Sequence, residues 1–276
     1  MGLRDFLFKR GNLMTVQLLN GFTAKESDKT TYRQTKQLLV LNLMPNRAVT
    51  EQQFTSLLDG TDVDVAVTFA IPASHRIRHH PVAVQQRYMT LADIKNRYFD
   101  GVIVTGAPLD QTPEQSIDFW PEFQDFMRWQ VDHIARRLFV CWGAYAAGLV
   151  TKDFLPIKQN DKIFGVTETQ GFIMPQSRYF TIPLANVDTG QVIAGDMKTG
   201  ATIIQNQQTR TVYVTGHYEY GPNNLAMEFH RDQRRGLLIA EPTGYFGDDG
   251  RPMAHWHEQG IHIVEQWLKD EEITNG

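Results

Sequence analysis

The sequence predicts an α/β protein in which a mostly parallel β-sheet is covered by helices on both faces. Short apolar segments of strand length alternate with segments of helical length, and this alternation is typical of β-α-β units. The chain has 276 residues, of which 42% are hydrophobic, which suffices for one core of this kind. Ligands bind such sheets at the carboxyl ends of the strands, so residues that follow predicted strands are the first functional candidates.

The alternation is clearest in the first half of the chain. Its predicted strands are short and apolar and cover residues 37–43, 63–67, 102–105 and 138–140. Its helices have an apolar side and cover residues 49–58, 120–134 and 144–150. A basic, histidine-containing loop at 74–81 follows the second of these strands.

The second half is less regular. Strands are predicted at 191–194, 201–204 and 211–214, and helices at 224–235 and 258–268. We interpret 37–270 as a single domain, 1–36 as an N-terminal extension and lead-in segment, and 271–276 as a tail. Met14 precedes a strand-like stretch, so the first thirteen residues are expected to be an extension or to precede the true start.

Composition excludes several function classes. The net charge is −4 and the 27 basic residues are spread along the chain, which argues against a nucleic-acid partner. No apolar run is long enough to span a membrane and no secretory signal is evident, so a cytoplasmic enzyme without a membrane partner is expected. The single cysteine, Cys141, cannot form an intramolecular disulfide, which fits a reducing compartment.

Cys141 has the position of a nucleophile. It lies between the apolar strand 138–140 and a predicted helix, with Gly143 two residues later, which is the outline of a nucleophile elbow. In such a turn, backbone N–H groups at the helix start stabilise a thiolate or an oxyanion. The alternative interpretation is a buried core cysteine, a common role for a free thiol.

A base for this thiol follows another predicted strand. His217 comes after the strand 211–214, and Glu219 is two residues further, so both face the same way if the strand continues. Together with Cys141 they form a candidate Cys-His-Glu triad. A surface histidine and a solvated glutamate are the alternative interpretation.

Seven ordered segments then point to a known family. They cover residues 41–45, 50–54, 99–108, 119–120, 140–144, 175–179 and 214–220. In these segments the sequence resembles the homoserine O-acyltransferases of methionine biosynthesis, which share the flavodoxin-like, triad-bearing fold of class I glutamine amidotransferases. The resemblance runs from about Gln37 to Leu268 and implies a homodimer.

The resemblance implies a role for each site residue. Cys141 is then the acyl-thioester nucleophile, His217 the proton acceptor and Glu219 the carboxylate that orients the histidine. Lys162 and Arg231 align with substrate-binding positions, and both cations suit the α-carboxylate of an amino acid. Without their matching flanks, they would be taken as ordinary surface residues.

The acyl donor depends on Asp110. It aligns with the family's determinant of donor choice, where a carboxylate would repel a succinyl group and admit acetyl. The expected cosubstrate is therefore acetyl-CoA, with no bound cofactor and no metal, and a ping-pong reaction through acetyl-Cys141. Backbone N–H groups near Ala107 and Trp142 are the candidates for the oxyanion hole.

Three departures from the family pattern concern the acceptor. The stretch 166–175 is short, Gln176 replaces a histidine and Tyr145 replaces a glutamine, while Ser177 aligns with a position linked to acceptor choice. A smaller pocket favours L-serine slightly over L-homoserine, although one methylene is worth only about 1–3 kcal/mol. O-acetylserine would place the enzyme in cysteine biosynthesis.

Other functions remain open from the sequence alone. A homoserine O-succinyltransferase, a glutamine amidotransferase-like protein and a non-catalytic binding module on the same scaffold are the alternatives. Six scattered histidines have no coherent metal-ligand spacing and are interpreted as loop and surface residues, namely His75, His79, His80, His255, His257 and His262.

Overall fold

The computed structural model describes residues 16–25, 35–78, 80–253 and 255–275. Its strands in chain order are β1 (Val16–Leu18), β2 (Lys36–Leu41), β3 (Val65–Ile71), β4 (Met89–Thr90), β5 (Gly101–Val104), β6 (Arg137–Val140), β7 (Ile157–Thr169), β8 (Phe172–Thr181), β9 (Gln191–Asp196), β10 (Gly200–Asn206) and β11 (Thr211–Val214). Its helices are α1 (Arg47–Asp59), α2 (Pro81–Arg87), α3 (Leu91–Ile94), α4 (Trp120–His133), α5 (Trp142–Thr151), α6 (Asn224–Arg234) and α7 (His257–Lys269). The question of a start at Met14 and the interpretation of His79 concern residues outside these ranges.

Within the described residues, nine strands form the central sheet, in the order β1-β3-β2-β5-β6-β11-β10-β9, with β4 beside β3. In this spatial order, each strand from β1 through β11 pairs in parallel with its neighbour, and β4 also pairs in parallel with β3. β10 and β9 follow β11 as an antiparallel edge. Every residue of β3, β5, β6 and β11 is buried, as expected for strands covered on both faces. The predicted fold class is confirmed.

The strand order reverses between β2 and β5. From β2 the chain passes through α1 to β3 on one side, whereas β5 and β6 lie on the other side of β2. A crevice forms outside the carboxyl ends of the strands at such a switch point, and ligands of open α/β sheets bind there.

A separate antiparallel hairpin, β7–β8, was not predicted. The two strands are joined at Gln170 and Gly171, whose φ angles are +48° and +79°. Two consecutive positive φ angles are typical of a tight type I′ turn. The turn lies within the stretch 166–175, which the sequence analysis found to be short.

The described structure reaches beyond the 37–270 segment. β1 pairs in parallel with β3, so the sheet begins within the lead-in segment. Ile273, in the tail, is buried and its N–H donates to Gln205 Oε1 at 3.0 Å. The division into one domain and two flanking segments stays a prediction. Among the described residues, no helix combines the length and apolar character that crossing a membrane requires.

Glu51 connects α1 to the segment after β1. Its side chain is fully buried, and its two oxygens accept hydrogen bonds from Phe22 N, Thr23 N, Thr23 Oγ1 and Tyr88 Oη at 2.6–2.9 Å. The matching segment 50–54 therefore includes a residue that fastens the edge strand to the sheet.

Replacing Glu51 is expected to destabilise the fold. In Glu51→Ala, four donors lose their acceptor, and we expect the free energy of unfolding to fall by at least about 3 kcal/mol. Chemical denaturation monitored by circular dichroism measures the change. Gln52→Ala, an exposed position on the same helix, is the control and should unfold as the wild type does. Equal stability of the two variants would contradict the role of Glu51.

Candidate active site

Cys141 stands in a strained turn between β6 and α5. Its backbone has φ 49° and ψ −116°, a conformation that costs a non-glycine residue about 1–3 kcal/mol and that concentrates at functional sites. Its N–H donates to Val214 O at 2.7 Å, which ties the turn to the end of β11. The predicted elbow is therefore present.

Gly143 allows this turn to pack against β5. A Cβ at this position would lie 2.7 Å from Val104 O and 2.8 Å from Thr105 O, closer than real Cβ atoms approach. A side chain would push the start of α5 away from the sheet. The glycine two residues after Cys141 is thus a packing requirement of the elbow.

The structure brings the three candidate triad residues together. Cys141 and His217 both border Gly106, where a Cβ would lie 3.8 Å from Cys141 Sγ and 3.4 Å from His217 Cε1, and His217 Nδ1 lies 2.7 Å from Glu219 Oε1. All three side chains are buried. The Tyr220 ring stacks on the imidazole at a centroid distance of 4.1 Å and fixes its plane.

The electrostatics of the triad stabilise the protonated form of His217. Burial raises the pKa of the Cys141 thiol, and His217 opposes this rise. Burial by itself would lower the pKa of His217, but Cys141 and Glu219 outweigh it and hold the pKa well above its ordinary value. The imidazolium is therefore stabilised where it would form, between a thiolate and a carboxylate.

The residues named for the oxyanion hole flank the thiol. Trp142 follows Cys141 and begins α5, and Ala107 follows Gly106. A Cβ on Gly106 would lie 3.3 Å from Cys141 Cβ and 3.4 Å from His217 Cε1, so this glycine borders the nucleophile directly. Both candidate amides thus belong to segments that adjoin the thiol.

Asp110 lies in the same buried region. Its Oδ2 accepts a hydrogen bond from Tyr179 N at 3.2 Å, and its Oδ1 is buried with no partner among the described residues. Burial raises the pKa of Asp110 to about 6, opposed by the Tyr179 amide, His217 and Arg178. An unpaired carboxylate oxygen therefore lies within electrostatic range of the triad.

Lys162 and Ser177 come from the two strands of the hairpin and meet at one glutamate. Lys162 Nζ lies 3.2 Å from Glu228 Oε2 and 3.3 Å from Asp232 Oδ2, and Ser177 Oγ donates to Glu228 Oε2 at 2.5 Å. Arg231 joins them through Asp232, with Nε and Oδ1 2.7 Å apart. The three predicted substrate-binding residues therefore form one cluster.

Glu228 was missed by the sequence analysis. Besides Lys162 and Ser177, it accepts a hydrogen bond from Tyr220 Oη at 2.6 Å, and Tyr220 is the residue that stacks on His217. Burial alone would raise the pKa of Glu228, but Lys162, Ser177 and Tyr220 outweigh it and lower the pKa. The available signal was its position one helical turn before Arg231, on the same side of α6.

Two of the residues that depart from the family pattern lie away from this cluster. Gln176 is buried and its Oε1 accepts from Arg178 Nε at 2.8 Å. Tyr145 donates to Glu114 Oε1 at 2.6 Å and packs on Phe180. The preference for serine that rested on them stays a prediction.

Known proteins with similar sequences belong to one family of acyltransferases. The homoserine O-succinyltransferase family model matches residues 12–271. A protein of Leuconostoc mesenteroides named homoserine O-acetyltransferase is 38% identical over 272 residues, covering 92% of this chain and 88% of that protein. A protein of Proteus mirabilis named homoserine O-succinyltransferase is 32% identical over 252 residues, covering 84% and 82%.

The chain belongs to the homoserine O-succinyltransferase family.

Like the relatives in this family, the chain is an O-acyltransferase. Among solved structures, it is similar to a glutamine amidotransferase of Thermotoga maritima, with a TM-score of 0.52, 11% identity and coverage of 87% of this chain and 96% of that one. At this identity the likeness shows the fold alone, which is the predicted amidotransferase-like architecture. Because relatives in the family carry both acetyl and succinyl names, membership does not fix the acyl group.

The scattered histidines do not gather into a metal site in the described part of the chain. No group of three or more His, Cys, Asp or Glu side chains suited to hold a metal ion occurs among residues 16–25, 35–78, 80–253 and 255–275. His75 instead contacts Asp118, with Nδ1 and Oδ1 3.0 Å apart. The expectation of a metal-free enzyme stays a prediction.

Proposed function

We propose that the protein transfers an acetyl group from acetyl-CoA to the side-chain hydroxyl of a small amino acid, through an acetyl-Cys141 thioester. The observation that supports this most strongly is the grouping of Cys141, at a strained elbow, with His217, which borders Gly106 as Cys141 does and is hydrogen-bonded to Glu219. A thiol, a base and an orienting carboxylate in this order form an activated nucleophile.

In the first half-reaction, Cys141 attacks the thioester carbonyl of acetyl-CoA. The thiol proton passes to His217 Nε2, the nitrogen that does not face Glu219. The carbonyl oxygen becomes an oxyanion, for which the Ala107 and Trp142 amides are the candidate donors. The bond to the CoA sulfur then breaks, CoA takes the proton from His217 and leaves, and acetyl-Cys141 remains.

In the second half-reaction, the acceptor hydroxyl replaces CoA. Neutral His217 removes the hydroxyl proton, the oxygen attacks the acetyl-Cys141 carbonyl, and the bond to Sγ breaks. His217 returns the proton to the Cys141 sulfur, so the enzyme ends as it began. The products are free CoA and an O-acetyl amino acid.

The cluster around Glu228 suits a zwitterionic acceptor. Arg231 is 43% exposed, so its terminal guanidinium nitrogens can meet an α-carboxylate while Nε stays on Asp232. Glu228 is held ionised and offers its charge to the α-ammonium group. Since Tyr220 contacts both Glu228 and His217, an amino acid bound there lies beside the base.

L-Homoserine is the first acceptor that we propose, because it is the substrate named for the relatives from Leuconostoc and Proteus. L-Serine is the second candidate. The tight turn of the β7–β8 hairpin favours it, since Pro175 O accepts a hydrogen bond from His217 N at 2.9 Å and so places the shortened hairpin against the base. The expected cytoplasmic location and homodimer remain proposals with this function.

Acetylation of Cys141 is the first outcome to check. After mixing with acetyl-CoA and no acceptor, wild-type protein should gain one acetyl group in intact-mass spectrometry, and Cys141→Ala should gain none. Glu219→Gln should react more slowly by roughly 10²–10⁴-fold, because His217 loses its orienting carboxylate. Glutamine hydrolysis by the wild type without acetylation would support an amidotransferase. If neither reaction occurs, the result would support a non-catalytic binding module.

Asp110 should govern the choice of acyl group in a pH-dependent way. With a pKa of about 6, Asp110 is charged at pH 7.5 and repels the succinyl carboxylate, whereas at pH 5.5 most of this charge is lost. The acetyl-to-succinyl ratio of kcat/KM should therefore fall as pH falls, by roughly tenfold. In Asp110→Gly the ratio should be low at both values. Exposed Asp248→Asn is the control, and a ratio independent of Asp110 would refute this role.

Glu228 should act on the second half-reaction. In Glu228→Gln, we expect an acceptor KM at least roughly tenfold higher for homoserine and serine, because the ammonium loses its counter-charge. The rate of Cys141 acetylation should be unchanged. Steady-state kinetics with both acceptors, set against the acetylation rate, separate these steps. Exposed Glu258→Gln serves as the matched control, and slowed acetylation in Glu228→Gln would instead indicate a structural defect.

A further inference from the structure

A cavity of about 560 Å³ adjoins the loop that carries Ala107 and Asp110. Pro108 and Leu109, between these two residues, line it. It is also lined by residues that come after β2 in the chain, namely Leu43, Pro45 and Arg47, and by the segment 75–78, which comes after β3. The cavity therefore occupies the crevice at the β2/β5 switch point, where open α/β sheets bind ligands.

The cavity is strongly basic in a chain whose net charge is −4. Arg47, Arg76 and Arg78 line it together with His75, and Asp118 is the acidic residue among the described lining residues. Asp118 is already engaged, because Oδ1 contacts His75 Nδ1 at 3.0 Å and Oδ2 accepts from Arg76 N at 2.7 Å. The positive charge of the three arginines therefore exceeds the negative charge of the cavity lining, and this excess can attract an anionic ligand.

Arg47 carries an N–H group that the described fold leaves without an acceptor. Arg47 is buried, with 6% relative exposure, and its Nε has no hydrogen-bond partner among the described residues. A buried guanidinium N–H without an acceptor is costly unless a ligand supplies one. Because Arg47 lines the cavity at the first turn of α1, the fitting ligand is an anion.

The arginine-bearing loop is held in place in advance. Glu122, in the first turn of α4, accepts hydrogen bonds from Ala73 N and Ser74 N, each at 2.8 Å. With the Asp118 contacts, these bonds fix the loop from both ends of the segment 73–76. A segment fixed in this way presents Arg76 with little ordering cost on binding.

We infer that this cavity binds the phosphate-bearing nucleotide end of the acyl-CoA donor. CoA carries a 3′-phosphate and a pyrophosphate, and a flexible arm connects them to the thioester. The loop 106–110 borders Cys141 on one side through Gly106 and the cavity on the other through Pro108 and Leu109. The arm can thus reach the thiol while arginines hold the phosphates. The identity of the ligand rests on the proposed function.

A second cavity of about 530 Å³ is the rival location. It is lined by Lys162, Lys198 and Tyr179 among others. Lys162 is paired with Glu228 and Asp232 at 3.2 and 3.3 Å, so its charge is already balanced. This balance, and the place of Lys162 in the acceptor cluster, favour the arginine-lined cavity for the donor.

The test uses the exposed pair in the double variant Arg76→Gln/Arg78→Gln, because replacing buried Arg47 would also perturb folding. With acetyl-CoA, the concentration for half-maximal acetylation of Cys141 should rise by roughly tenfold or more. With S-acetyl-N-acetylcysteamine, a thioester without phosphates, acetylation should match that of the wild type. Arg128→Gln/Arg251→Gln, an exposed pair elsewhere, should match the wild type with both donors.

A binding measurement separates this site from the acetylation chemistry. Calorimetric titration with adenosine 3′,5′-bisphosphate should show binding to the wild type, weaker binding to the double variant and weaker binding at high salt. If the wild type binds this probe but is not acetylated, the proposed function fails while the anion site stands. Unchanged acetyl-CoA dependence in the double variant, or loss of probe binding in Lys198→Gln instead, would overturn the site.

Discussion

The parallel pairing of β6 with β11 is the constraint on which the active site depends. The register places Val140 opposite Val214, so the two strands end together. Cys141 leaves the sheet at the end of one strand and His217 follows the end of the other. The Cys141 N–H donates to Val214 O, so the turn that exposes the thiol is itself part of this pairing. A one-residue shift of register would separate Cys141 from His217 and turn the side chains of the shifted strand to the opposite face.

Around this pair, the chain divides its remaining tasks among separate segments. The loop after β5 brings Gly106 and Asp110 to the thiol, and α6 brings Glu228 to the residue that stacks on His217. The β7–β8 hairpin contributes a backbone amide to Asp110 and a side chain, Ser177, to Glu228. The residues that we propose for donor choice and acceptor binding therefore reach the triad from different parts of the fold.

The sequence predicted those parts that follow from local pattern. Runs such as 138–140 are apolar because parallel strands are buried on both faces, and Cys141 and His217 were found because each follows such a run. The hairpin could not be found in this way, since its first strand, from Ile157 to Thr169, is largely polar and half-exposed. Glu228 looks like a solvated helix residue until the hairpin packs against α6. Similarly, the loop 74–81 was visibly basic, but only the fold shows that its residues 75–78 line the cavity at the switch point.

The hairpin has a consequence for how this architecture diversifies. It pairs only with itself among the described strands, and one of its contacts with His217 is the bond from His217 N to Pro175 O. On β8, Ser177 reaches the polar cluster, whereas its neighbours Gln176 and Arg178 form a buried contact with each other. Substitutions on the Ser177 side of β8 therefore alter the polar cluster without touching the strand pairing of the central sheet. Under the proposed function, substitutions in the hairpin can therefore change the acceptor while the turn that carries Cys141 stays the same.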